Sequence, residues 1–257
     1  MTDSTGKRKK ILKNIAALVF WIAVWAGAAG LAGSELILPG PLSVLETLGE
    51  LCRTPDFWEA ALLSLARIFG GFAAGLIAGT LLAAASECSS ALEALLSPLM
   101  RVVRSTPVAS FIILALLWVG RSYVPLFISA LMVAPVIYGT VCTSVRGTDA
   151  SLLEMARAYS FSAGKRLKLI YVPTAYPAWR SAAVTSMGLA WKSGVAAEVL
   201  CQPKTAVGTE LYYSKLYLET PSLFAWTAVV ILLSFLIEKL LVRGLNALAE
   251  RRGGGKK

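Results

Sequence analysis

Long apolar runs alternate along this chain with short charged segments. The runs that are candidates to cross a bilayer cover residues 14–33, 62–86, 105–120, 122–145, 175–197 and 222–241. A spanning helix needs about 18 or more predominantly apolar residues. The third run is short, and it is expected to be lengthened by the residues before it. Backbone polar groups in lipid need partners within the chain, so each run is expected to be a helix. The pattern predicts an all-α polytopic membrane protein of about six transmembrane helices. The second run carries Arg67 near its start, and the fifth carries Arg180 and Lys192.

Composition agrees with the pattern, since 56% of residues are hydrophobic and only 16% charged. The distribution of the net +10 charge adds orientation. The N-terminal tail sets Lys7, Arg8, Lys9, Lys10 and Lys13 against Asp3 alone. The segment 34–60 reverses the sign, with Glu35, Glu46, Glu50, Asp56 and Glu59 against Arg53. Residues 146–180 are again net basic, 198–221 slightly acidic, and the C-terminal end from Glu238 basic. Basic segments mark the cytoplasmic side. The signs alternate as six spans require, with both termini inside. The expected layout is a cytoplasmic basic tail (1–13), a first transmembrane helix (14–33) and an extracytoplasmic loop (34–60). A core domain (61–241) with a cytoplasmic loop at 146–174 follows, and then a second basic tail (242–257). The first helix has the basic flank and small residues of a secretory signal. Its apolar run is long, however, and its removal would break the charge alternation, so it is expected to stay. The basic tail has no interleaved aromatic residues, which argues against nucleic-acid binding.

Several chemistries are excluded. There is no histidine, which removes HExxH zinc sites and Ser–His dyads. The four cysteines form no CxxC pair, so no metal site is expected. Cys52 and Cys201 fall on the predicted outer side, where either a disulfide or two free thiols is open. Cys88 and Cys142 lie near the inner side. Gly6-Lys7 and Gly164-Lys165 lack the upstream glycine spacing of a phosphate loop. No catalytic residue and no cofactor is therefore expected on this chain, and any ATP that powers it is bound elsewhere. Gly71, Gly75 and Gly79 read as small residues that let membrane helices approach closely.

The segment from Glu154 to Pro173 is an amphipathic, basic insert between apolar spans. Residues 151–159 read as a short helix, with Ser151 as a cap and Glu154 completing a capping box. Ser160-Phe161-Ser162 interrupts it. Ser162 is placed to cap a second helix that carries Lys165, Arg166 and Lys168 on one side and Leu167, Leu169 and Ile170 on the other. Pro173 and Pro177 mark the start of the fifth span. Such a loop is either a docking surface for a soluble partner or a helix pair resting on anionic headgroups.

The order of residues in this loop resembles the EAA signature of permease subunits of ABC importers. Glu154, Ala156, Ile170 and Pro173 match at the family's spacing, whereas Met155, Ser160 and Val172 depart. Ser160 stands where the family has a glycine that makes a sharp turn. Other segments resemble the sulfonate, taurine and nitrate branch of that family. They are Ile37-Leu38-Pro39-Gly40-Pro41 with Val44; Ser64-Leu65-Ala66-Arg67 with Gly70-Gly71-Phe72; Arg104-Ser105-Thr106-Pro107 with Leu116-Leu117-Trp118-Val119-Gly120; and Gly188-Leu189-Ala190-Trp191 with Ala196-Ala197-Glu198.

The resemblance implies a type I importer permease fold, a five-helix core plus an N-terminal helix, in the plasma or inner membrane. It implies a cytoplasmic ABC ATPase that holds ATP and Mg, an extracytoplasmic solute-binding protein, and a second permease copy forming a homodimer. The first loop helix would be the coupling helix. Glu154 and Arg157 would make polar contacts to the ATPase, and Ala156 and Ala158 would give close approach. Met155, Ser160, Ile170 and Pro173 are the other motif positions. The implied cargo is a small, anionic solute such as a sulfonate, taurine or nitrate, with a pyrimidine- or flavin-type vitamin precursor as the alternative. A stand-alone secondary transporter would show internal inverted repeats, and none is evident.

Candidate residues of the translocation path are Pro107, Trp191, Lys192 and Glu198. Lys192 lies deep in the fifth span, where ionisable groups face a cavity or a partner. It is placed to attract an anion, to pair, or to snorkel. Trp191 either lines the path or packs, and Glu198 either closes an outer gate or is solvated. Arg101 and Arg104 end an amphipathic stretch and are expected to anchor it at the inner interface.

Overall fold

The computed structural model describes residues 3–253, with side chains described from 12 to 246. The basic residues expected at 7–10 and 251–257 lie outside those side chains. In chain order the helices are α1 (Asp3–Ala32), α2 (Pro41–Leu51), α3 (Pro55–Cys88), α4 (Ser90–Ser105), α5 (Val108–Ala115) and α6 (Val124–Arg146). They are followed by α7 (Ala150–Ala158), α8 (Ala163–Arg166), a π-helical segment (Leu167–Tyr171), α9 (Val172–Cys201), α10 (Val207–Leu216) and α11 (Thr220–Gly253). No strand occurs among the described residues.

The chain divides into two compact units, Met1–Glu59 with Glu210–Val230, and Ala60–Thr209 with Ile231–Lys257. In the first unit Leu12–Ala32 of α1 is long and apolar enough to cross a membrane. Trp25 fixes it, donating its indole N–H to the Pro39 carbonyl at 3.0 Å and stacking on Phe224 at 6.0 Å. Phe57 packs on Trp226 with ring centroids 5.1 Å apart. The segment 34–60 is more than a loop. Pro41, pre-set for a helical start, opens α2, and α3 begins at Pro55, ahead of the expected residue 62.

In the second unit the glycine stripe of α3 lies against the backbone of α6. A Cβ at Gly75 would stand 2.7 Å from the Ala130 carbonyl oxygen, and one at Gly79 would stand 2.6 Å from that of Ala134. A Cβ at Gly71 would overlap the Leu126 carbonyl. The acceptors recur every fourth residue on α6, so the helices meet backbone to backbone over several turns, as expected for small-xxx-small packing. Gly194 plays the same part for α9, where a Cβ would meet Ile68 of α3 at 2.6 Å and Ser129 of α6 at 2.7 Å. Ile112, Ala115, Val124, Ile128, Ala197 and Cys201 join α5, α6 and α9 in one apolar cluster.

The expected third span, 105–120, is not one helix. α4 and α5 meet at 104°. The cause is local: Thr106 precedes Pro107 and is extended, at φ −82° and ψ 135°, because the proline ring disfavours helical backbone on the residue before it. Four described helices are long and apolar enough to cross a membrane, and the bent pair is a possible fifth. α9, with 30 residues, is long enough but falls outside that apolar set. All four cysteines are free thiols.

Candidate functional site: a basal helical loop and a buried carboxylate

The loop after α6 is built from two capped turns. Asp149, not Ser151, caps α7: its carboxylate accepts from the Ser151 N–H at 2.9 Å. The expected cap was misplaced because an Asx cap reaches the amide two residues ahead, and that puts Ser151 inside the helix. The Ser151 amide holds the Asp149 carboxyl below the ordinary carboxylate range. The cap is therefore present at neutral pH and is lost only as pH falls through that lowered value. Ser162 caps α8 as expected, accepting from the Lys165 N–H at 3.4 Å.

Between the helices Ser160 takes the left-handed conformation, φ 51°. The Phe161 N–H reaches back to the Ala156 carbonyl at 2.8 Å and the Ser160 N–H to the Arg157 carbonyl at 3.0 Å. That pair of bonds is a Schellman motif, whose turning position usually holds glycine. The serine thus makes the glycine's turn and bears the strain. Ser160→Gly is expected to stabilise the loop by about 1 kcal/mol, the usual left-handed cost of a non-glycine residue. Thermal unfolding of the purified chain checks this, and no gain would mean that the strain is relieved elsewhere.

The exposed face of α7 carries Leu152, Glu154, Met155, Arg157 and Ala158, with Tyr159 just beyond it. Ala156 is 1% exposed and packs inside the chain. The close approach to a partner that was expected of Ala156 therefore falls to Ala158. Ile170 is also buried, and Pro173 sits exposed in the first turn of α9. Val172 donates to the Leu167 carbonyl, five residues back. This widened turn carries the chain from α8 into α9 without a break. It accommodates Pro173, which lacks an amide donor and crowds the preceding turn.

The second constellation is centred on Glu198, which is 0% exposed. Its Oε2 accepts from Ser64 Oγ at 2.7 Å and from the Gly208 N–H at 3.2 Å, and its Oε1 lies 3.5 Å from Arg67 Nη1. Ser64 in turn accepts from the Val207 N–H at 2.9 Å, and Arg67 donates to the Thr205 carbonyl at 2.8 Å. A buried carboxylate is tolerated only with such partners. It ties α3 and α9 to the turn at residues 202–206 and the start of α10. Glu198 is therefore not solvated. Ser64–Arg67 and Ala196–Glu198 stand as separate fragments in the sequence, and nothing local shows their pairing. The signal available was an Arg and a Glu of opposite charge, each at the predicted outer end of its span.

The family model described as "Binding-protein-dependent transport system inner membrane component" matches residues 71–252. The chain belongs to that family. The permease is similar to the taurine transport system permease protein TauC of Escherichia coli (strain K12), with 26% identity over 251 residues that cover 95% of this chain and 89% of TauC. It is also similar to SsuC of Bacillus subtilis (strain 168), named for aliphatic sulfonates transport, with 27% identity over 221 residues, 85% of this chain and 80% of SsuC. Among solved structures it resembles an amino acid ABC transporter, at TM-score 0.63 and 16% identity, covering 80% of this chain and 97% of that one. It also resembles the MetNI methionine ABC transporter, at TM-score 0.58 and 18% identity, covering 74% and 93%. The fold is that of an ABC importer permease, and the chain is a multi-pass inner-membrane transport subunit of the importer class.

In the permease the expected path residues do not form one group. Lys192 is exposed on α9, whereas Trp191 beside it is 1% exposed and packs in the interior. Pro107 is exposed at the bend between α4 and α5, where it breaks the helix. Lys192 shares its exposed face with Ser181, Thr185 and Leu189, roughly three, two and one turns earlier at 3.6 residues per turn.

Proposed function

We propose that the permease carries a small anionic solute of the sulfonate or taurine class into the cytoplasm. In this reading it works as a homodimer, receives solute from an extracytoplasmic binding protein, and is driven by a cytoplasmic ABC ATPase that holds ATP and Mg. The observation that carries the reading is the loop of α7 and α8. It presents Glu154, Met155, Arg157 and Ala158 on a short helix whose far end is locked by the Ser160 turn. A rigid, exposed helix of this kind is suited to transmit a partner's displacement, a standard form of two-state switch. The charge alternation supports a cytoplasmic position for it. The names of TauC and SsuC support the anionic class, and Lys192 on a face shared with Ser181 and Thr185 supplies a cation where such a solute would pass.

The test is reconstitution with a cognate ATPase and binding protein. Glu154→Arg combined with Ala158→Trp alters only exposed positions of α7. It is expected to abolish co-purification of the ATPase while the chain still folds. Uptake of taurine or an alkanesulfonate should require ATP and fall in Lys192→Met. Uptake that persists without any ATPase would sink the reading, and unchanged uptake in Lys192→Met would remove the anion contact.

A further inference from the structure

At the root of the basal loop three charged residues from three helices meet. Arg146, the last residue of α6, donates from Nε to Glu87 Oε1 at 2.8 Å. Its Nη2 lies 2.8 Å from the same oxygen and 2.9 Å from Glu93 Oε1. Glu87 lies in the last turn of α3, and Glu93 lies in the first turn of α4. A single residue, Ser89, separates those two helices, so they form a corner. Three residues beyond Arg146 stands Asp149, the cap of α7. The guanidinium thus joins the α3–α4 corner to the point from which α7 hangs.

The rest of α3 and α6 needs no such clamp. The glycine stripe holds them, and Ser86 Oγ bonds Tyr138 Oη at 2.9 Å. α4 is different. It is amphipathic, most of its residues are exposed, and it leads through the 104° bend into α5. Arg's planar fork can serve two carboxylates at once, which a lysine ammonium does less well. Arg146 is about half exposed, and exposed ion pairs add little to fold stability. A three-helix clamp that contributes little to folding can still decide whether neighbouring helices move together.

We propose that Arg146 is the positioning residue that makes α4, and with it the bent pair α4–α5, follow displacements of α7. The proposal rests on the reading of α7 as the coupling helix. In the reconstituted complex, Arg146→Gln is expected to lower uptake per ATP hydrolysed by roughly fivefold or more, the lower edge of ordinary coupling energies. ATP hydrolysis and unfolding temperature should stay near those of the unaltered chain. Glu93→Gln should reproduce the loss, and Arg146→Lys should restore part of it. An unchanged ratio in both Arg146→Gln and Glu93→Gln would overturn the proposal, and so would uptake and hydrolysis falling in proportion. A second measurement is independent of the ATPase. Amide hydrogen exchange of the purified chain should quicken in α4 and α7 together in Arg146→Gln. Quickening confined to the end of α6 would overturn the clamp even where ATP-driven uptake is intact. Absence of ATP-driven uptake by the unaltered complex, with coupled exchange preserved, would count against the functional reading alone.

Discussion

Replacing Glu198 with alanine is expected to destabilise the permease by about 3 kcal/mol, the ordinary cost of removing one partner of a buried ion pair. The carboxylate receives the Ser64 hydroxyl, the Gly208 amide and the Arg67 guanidinium. Ser64 and Gly208 are buried and find no water readily once it is gone, and an unsatisfied buried donor costs about 1–3 kcal/mol. The loss should appear locally as well, as faster exchange and proteolysis at residues 202–208, whose fold rests on Glu198 and its partners. Glu198→Gln keeps one acceptor but turns an amide donor toward another donor, so a loss of about 1 kcal/mol is expected. Because Ser64 and Glu198 share a hydrogen bond, the Ser64→Ala and Glu198→Ala effects should be less than additive. Unfolding of the detergent-purified chain reads all three. A loss under about 0.5 kcal/mol for Glu198→Ala, the range of ordinary surface changes, would mean that the carboxylate is hydrated after all.

Gly75→Leu is expected to prevent α3 and α6 from closing. Lipid supplies no hydrophobic drive between helices, so close packing is what holds such a pair. Even alanine at 75 would set its Cβ 2.7 Å from both the Ala130 carbonyl oxygen and the Val133 Cβ. Neither neighbour yields cheaply, since one is backbone and the other is fixed to it. Gly75→Ala should cost about 1–3 kcal/mol, as overpacking does, and leucine more. Gly139 on α6 provides the contrast, because a Cβ there meets nothing within 4 Å. Gly139→Ala should be neutral or stabilising by up to about 1 kcal/mol through helix propensity alone. Equal losses at both positions, measured by thermal unfolding in detergent, would refute the backbone-to-backbone account of the stripe.

What was legible in the sequence was mostly what depends on near neighbours. The glycine spacing of α3 and the Ser162 cap each involve residues within one or two turns, and the structure has both. The α4–α5 bend was hidden because the short run 105–120 was expected to be lengthened by the residues before it, whereas Pro107 breaks the helix just inside its start. The Ser160 turn was visible as a departure from a pattern, but its outcome was not. Serine at that position either flattens the turn or bears the strain, and only the backbone bonds that Phe161 and Ser160 make back to α7 decide. Glu198 illustrates the other limit: its hydroxyl partner Ser64 lies 134 residues away in sequence. A charge near a span end looks solvated until the partner that desolvates it is known.

The unbroken passage from α8 through the π-helical segment into α9 makes α8 and the helix bearing Glu198 a single lever. Thirty residues of α9 span about 45 Å at the helical rise. A rock of roughly 5° about the lower end sweeps the upper end through ~4 Å over that length. Glu198 holds Ser64 and Gly208 at 2.7 and 3.2 Å. A slight tilt at the base thus becomes, at the far end, a travel longer than the bonds that fasten it.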